Sequence, residues 1–310
     1  MTFIYHGIYY LGIFVQILNK MDRKKFIQQS LLTLGSTYIG TKVLGSSLDS
    51  KSTYSRLIEG IGYNHIPNKE EKKMNTLIHR ANTRGYANHG WLKSYHTFSF
   101  ANYRHPERMN FGVLRVLNDD YVESGKGFGT HPHDNMEIIT IPLEGALEHK
   151  DSMGNSGIIS TNEIQVMSAG TGVYHSEYNA NKERPVKFLQ IWMFPNKRQV
   201  EPRYDQLKLN PVDRVNQFQQ ILSPNPTDAG VWAHQNAWFY LGKFDADTLT
   251  SYTLNDGTNG VYVFVINGEV VVNNETLQAR DGMGIWDTTE LHLQINQSAE
   301  LLVMEVPMKI

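Results

Sequence analysis

The chain has 310 residues, 40% of them hydrophobic and 19% charged, enough to bury one large core or two modest ones, and two domains are expected. Its 29 basic and 31 acidic side chains leave a formal charge of -2, which gives no electrostatic footprint for nucleic acid or for an anionic membrane surface. With no cysteine, disulfides, thiolate metal sites and cysteine nucleophiles are excluded, and a transition metal would have to be held by carboxylate and by imidazole from the 12 histidines.

In chain order, the first twenty residues, MTFIYHGIYYLGIFVQILNK, are apolar and aromatic. From Met21 the text runs basic, then apolar, then small, which is a signal-peptide layout with Met21 as the working start. Arg23, Lys24, Lys25 and Phe26 resemble a twin-arginine signal in which lysine replaces the second arginine. If residues 21–48 act as a signal, the protein is exported to the periplasm. Otherwise residues 1–50 are an N-terminal extension on a cytoplasmic protein, because the apolar stretch of residues 3–18 is short for a bilayer span. Residues 51–75, with the charge run KEEKK, read as a solvated linker.

From Thr76 onward the text changes to short alternating runs such as FGVLRVLNDD, MEIITIPLEG and VKFLQIWMFP, broken by Gly, Asn and Asp. This spacing predicts an all-β barrel or sandwich. In residues 76–205, IITIPLEGALEHKD gives strand, a turn at Gly145, and strand; NKRQVEPRYDQLKLN, residues 196–210, has room for a short connecting helix. In residues 206–310, VYVFVINGEVVVNN turns in the same way at Gly268. The two halves echo each other, so two tandem β-domains of one type are expected, with a boundary near residues 197–212.

The chemistry gathers in GTHPHDNMEIIT, residues 129–140. Residues two apart on a strand share a face, so His131 and His133 point together, and Glu137 shares their parity if the strand stays regular. About forty residues later, GTGVYHSEYN offers His175 and Glu177 at the same spacing. Two such pairs on neighbouring strands can gather imidazole and carboxylate around one mononuclear metal. Parity alone does not choose between Glu137 and Glu177. His149, next to a turn, is expected to be a surface or structural residue. His79, His89, His96 and His105 are unpaired and read as structural or pocket-edge, and His234 and His292 are isolated.

These residues resemble the cupin superfamily, and within it the pirin family. Gly125, His131, His133, Glu137 and Gly145 follow the first cupin motif, with the last gap one residue longer than usual; Gly172, His175 and Asn179 follow the second, with Gly170 where proline is usual. HGWLKSYHTFSFANY, FGVLRVLNDD, GFGTHPH, LEGALEHKDSMGNSG and MSAGTGVYHSEYN carry the pirin likeness, strongly over residues 76–205 and weakly beyond. The resemblance implies a bicupin of two jelly-roll type barrels: an N-terminal domain with a metal site held by His131, His133, His175 and Glu177, and a C-terminal domain that has lost its ligands. Glu137 is then left in a structural role near the site.

The resemblance further implies one divalent ion, Fe(II) first, with Mn, Ni, Cu, Co or Zn as alternatives. Its implied activity is that of a quercetin 2,3-dioxygenase: a flavonol or related small aromatic enol loses its 3-hydroxyl proton to Glu177, and dioxygen opens the ring with loss of carbon monoxide. Phe128, Met167 and Trp192 are candidates for the pocket wall. The protein is expected to be a monomer with no nucleic-acid partner and no membrane contact apart from the N-terminal signal. The other reading is a non-catalytic, metal-dependent redox sensor or protein-binding module, and a third is a storage or structural barrel.

Overall fold

The computed structural model describes residues 74–310, so the expectations for residues 1–50, and for the linker up to residue 73, lie outside the described residues. The regular structure of residues 74–310 is almost entirely strand. The short alternating runs of β-branched and aromatic residues suit a pleated, half-buried surface better than a helix. β1 (Asn75–His79), β2 (Gly85–Asn88), β3 (Leu92–His96) and β4 (Leu114–Val122) lead into β5 (Gly127–His133), β6 (Glu137–Glu144), β7 (Ala146–Asp151) and β8 (Ser156–Ser160). β9 (Glu163–Ser168), β10 (Val173–Asn179), β11 (Val186–Met193) and β12 (Arg203–Lys208) complete the first half. The second half holds β13 (Phe218–Ser223), β14 (Val231–Trp232), β15 (Trp238–Phe244), β16 (Thr248–Thr253), β17 (Asn259–Val272), β18 (Glu275–Gln278), β19 (Gly282–Trp286) and β20 (Glu290–Pro307).

In the first half, a seven-stranded sheet of order β12-β9-β6-β11-β4-β3-β2 faces a four-stranded sheet of order β5-β10-β7-β8. Leu147 and Phe128 of the smaller sheet pack on Leu92, Val122 and Phe188 of the larger, and Val173 packs with Ile138, Met167 and Trp192. The opposite face of the seven-stranded sheet is apolar too. Leu117, Ile139, Val166 and Ile191 join Ile221, Phe239, Leu302 and Met304 of the second half in one core. The period of two therefore sends one set of side chains into the first domain's interior and the other into the seam between halves. The second half is a nine-stranded sheet built on β1-β19-β17-β20-β15-β13-β14, enclosing its own apolar cluster around Val263, Leu293 and Val303. The result is a pair of cupin-like β-domains whose ladders are open at the ends.

Two details differ from the sequence reading. The connecting helix is a single 3-10 turn, Pro211–Arg214, with the Asn210 side chain accepting from Val212 N. Within residues 196–210, where the helix was expected, Arg203–Lys208 is strand, because it pairs with β9 from Arg203↔Ser168 to Lys208↔Glu163. Secondly, β1 lies in the second half's sheet, with Asn75 opposite Trp286 and His79 opposite Gly282.

Candidate metal centre

β5 and β10 are antiparallel neighbours, with His175 opposite His131 and Val173 opposite His133. The ring centroids of His131 and His175 are 4.4 Å apart, and His133 lies 4.9 Å from each. One nitrogen from each of the three can be chosen so that all lie within 4.8 Å of one another, close enough to share an ion. Gly129 O accepts from His131 Nδ1 at 2.8 Å, which fixes that tautomer and leaves Nε2 with its lone pair. Both ring nitrogens of His175, and Nε2 of His133, are buried without a hydrogen-bond partner. Burial, followed by the neighbouring imidazoles, holds His175 down to about 2, and burial with His131 beside it holds His133 down to about 4. Neutral imidazoles with orphaned nitrogens are what a divalent metal needs, so the donor set fits the implied ion.

Glu177 reaches this cluster through His175. The register shifts between His175 and Glu177, and the carboxylate falls in a second group with His175 and His149, again within 4.8 Å. Gln190 Nε2 donates to Glu177 Oε2 at 3.0 Å and Thr140 Oγ1 to Oε1 at 3.3 Å. Burial pushes the Glu177 carboxyl up to about 7 against the opposing pull of those two bonds. Glu177 lines the same cavity as His131 and His133, one of about 260 Å³ walled by Leu92, Phe100, Phe128 and Trp192.

Glu137 lies elsewhere. Asn135, with φ of 43°, ends the regular strand after His133, so the parity that linked Glu137 to the histidine pair is broken. Its Oε2 accepts from Ser168 Oγ at 2.7 Å and from His234 N at 3.2 Å, tying the two halves together. Glu137 is in neither of the two groups of described residues close enough to share an ion.

Of the two expectations for His149, surface or structural, its burial favours the second: Leu147 and His149 alternate inward along β7. Asp151 Oδ2 lies 3.2 Å from its Nε2, Tyr204 stacks on its ring at 4.7 Å, and its Nδ1 has no partner. Of the three wall candidates, Phe128 and Trp192 line the cavity, while Met167 sits in the apolar cluster behind it. His89 and His96 are at the cavity edge, and His79 is bonded to Tyr262 at 2.8 Å. Gln190, Thr140, Asn118 and Asp120 went unnoticed as site residues in the sequence. Their signal was polar side chains at inward positions of otherwise apolar strands.

Two motif positions have clear physical causes. Gly170 stands where proline is usual, and its φ of 47° is closed to proline; a Cβ there would also lie 2.1 Å from Val200 O. Asn179 donates to Val122 O, Glu123 O and Arg184 O and accepts from Asn181 N, so it pins the end of β10 to the turn before β5.

Two jelly-roll domains in tandem, with both potential metal groups of the described residues in the first, define a bicupin. Residues 78–193 match the family described as Pirin, and residues 220–306 the one described as Quercetinase C-terminal cupin domain. The chain is 42% identical over 230 residues to a protein of Escherichia coli strain K12 named quercetin 2,3-dioxygenase, covering 74% of this chain and 98% of that one. It is 39% identical over 222 residues to a pirin-like protein of Caulobacter vibrioides, covering 71% and 95%. A crystal structure of the bacterial pirin YhhW from Escherichia coli in complex with nickel(II) superposes with a TM-score of 0.71 at 40% identity, covering 75% of this chain and 99% of that one. The chain belongs to the pirin family.

Proposed function

We propose that this protein is a metal-dependent dioxygenase that opens the ring of a flavonol or related aromatic enol, with His131, His133, His175 and Glu177 holding the ion. The observation that carries the reading is the trio of converging histidines, with orphaned nitrogens on His133 and His175, beside an apolar cavity. The relatives named quercetin 2,3-dioxygenase support it. Fe(II) is the first candidate, and the nickel(II) complex of YhhW makes nickel a credible alternative. A divalent ion supplies Lewis acidity toward an enolate oxygen and a redox route to dioxygen.

The chain's own residues do the rest. Phe128 and Trp192 offer flat apolar faces to an aromatic ring and keep water from it. The Glu177 carboxylate takes the proton of the 3-hydroxyl, held in place by neutral donors from Gln190 and Thr140 rather than by a cation. Residues 76–205 carry this machinery and residues 206–310 serve as a second, ligand-free domain that shares its core.

The test is elemental analysis of the purified protein, then oxygen uptake on quercetin after anaerobic loading with Fe(II). Uptake stoichiometric with ring opening is expected. Full metal occupancy with no uptake on any flavonol or catechol overturns the reading.

A further inference from the structure

The seven-stranded sheet turns a polar row toward the pocket. His96 of β3 stands opposite Asn118 of β4, Asn118 opposite Gln190 of β11, and Gln190 opposite Thr140 of β6. Neighbouring strands are about 4.8 Å apart, so Asn118 and His96 lie roughly one and two strand spacings from Gln190. Gln190 and Thr140 are occupied with Glu177. The remainder of the row is not occupied: Asn118 Oδ1 and His96 Nδ1 are buried without a partner. Burial, then Arg84, holds His96 down to about 4, so its ring is neutral and Nδ1 can accept.

Asp120 continues this face two residues along β4, and it is only 5% exposed. Its one hydrogen-bond donor among the described residues is the Ser94 hydroxyl. The neighbouring Asp119, on the opposite face, takes both nearby cations, Arg84 at 3.2 Å and Arg280 at 3.5 Å. The dipeptide is thus divided: one carboxylate is ion-paired outside the domain, and the other is buried inside without a cation, on the cavity wall. Burying a carboxylate this way is costly, and a neutral acceptor would serve Ser94 equally well. The bare acceptor is accounted for if something that enters the cavity donates to it. Asn118 and Asp120 share this cavity with the aromatic Phe100, Phe128 and Trp192 and with His131 and His133.

Resting on the reading of this cavity as the substrate pocket, we propose that Asp120 and Asn118 determine substrate specificity by accepting hydrogen bonds from phenolic hydroxyls on a polyhydroxylated aromatic enol. A substrate without ring hydroxyls leaves these acceptors desolvated and unpaired, and a site built in this way rejects it. The enol end meets the histidine cluster, and the hydroxylated ring meets the β4 side.

The test is anaerobic calorimetric binding of two probes to the metal-loaded full chain: quercetin, and 3-hydroxyflavone, which keeps the enol and carbonyl but lacks the ring hydroxyls. Quercetin is expected to bind at least about tenfold more tightly, the value of a single good hydrogen bond. Asp120→Asn keeps an acceptor for Ser94 but turns the other oxygen into a donor. It should remove most of that preference by weakening quercetin alone, and Asn118→Leu should reduce it in the same direction. Equal binding of the two probes by the natural chain, binding of neither, or equal loss of both in Asp120→Asn overturns the inference. Oxygen uptake separates the two readings. Selective binding of quercetin without uptake keeps this inference and sinks the dioxygenase; uptake on both flavonols with equal affinity does the reverse.

Discussion

Replacing Glu137 by glutamine tests the roles of the acidic residues through the pH dependence of stability. Glu137 is 1% exposed, and burial, opposed by its bonds from Ser168 and His234, raises its carboxyl from 4.5 to about 7. A carboxyl whose folded value lies above its unfolded value takes up a proton on folding in the interval between them. Its contribution therefore favours the folded state at low pH and is lost as pH rises from about 4.5 to about 7, the reverse of a salt-bridged acid. With 1.36 kcal/mol for each pH unit, the shift from 4.5 to about 7 corresponds to about 3 kcal/mol as an upper bound. The glutamine side chain cannot ionise and still offers one acceptor to Ser168 or His234. Urea unfolding of both proteins, metal-free, at pH 5 and pH 8 gives the difference between them. Glu177 and Asp120, also raised to about 7 by burial, are present in both proteins and cancel. The variant should gain on the natural chain between pH 5 and pH 8 by up to about 2.5 kcal/mol, roughly 1 M in the urea midpoint. Parallel pH dependence in the two proteins would refute a protonated, structural Glu137.

Three further outcomes follow from the site. Chelating the metal from the natural chain should lower Tm by roughly 5–10 °C, as expected for an ion present at about a hundred times its Kd; His175→Ala should show no such shift in a thermal melt with and without chelator. Glu177→Gln should abolish oxygen uptake while part of the metal remains by elemental analysis; if Glu137→Gln is the more damaging to turnover, the ligand assignment is wrong. Asn179→Ala, which removes the amide that donates to Val122 O, Glu123 O and Arg184 O, should cost about 1–3 kcal/mol in denaturant unfolding, with the metal content of the folded protein unchanged.

The β-domains were legible because alternation and glycine turns are local signals. The His131 and His133 pair, with His175, was legible for the same reason: all three obey a period of two on strands that stay regular up to each histidine. Glu137 was ambiguous because one residue in the left-handed region, Asn135, resets the parity, and asparagine tolerates that conformation without announcing it. For His149 closeness to a turn left surface and structural roles both open, although its alternation with Leu147 pointed inward. Asp120 escaped notice because an Asp-Asp pair in a strand reads as a solvated turn; only the sheet partners show that its two members face opposite ways. Pairing of β1 with β19 depends on contacts that no local pattern encodes.

That last pairing has a kinetic meaning. Asn75 Nδ2 donates to Asp287 Oδ2, 212 residues further along the chain. During synthesis β1 leaves the ribosome long before β19 exists, so its ladder edge must wait, unpaired, until most of the polypeptide has emerged. Contacts of such long separation slow folding and prolong the exposure of strand edges. The strands of the half with the histidine cluster have all emerged by Lys208, while the strand that precedes them is a late latch. Asp287→Ala, which removes the acceptor of Asn75 Nδ2 and leaves the shared core intact, should therefore speed protease cleavage within residues 75–79 while sparing β5 and β10.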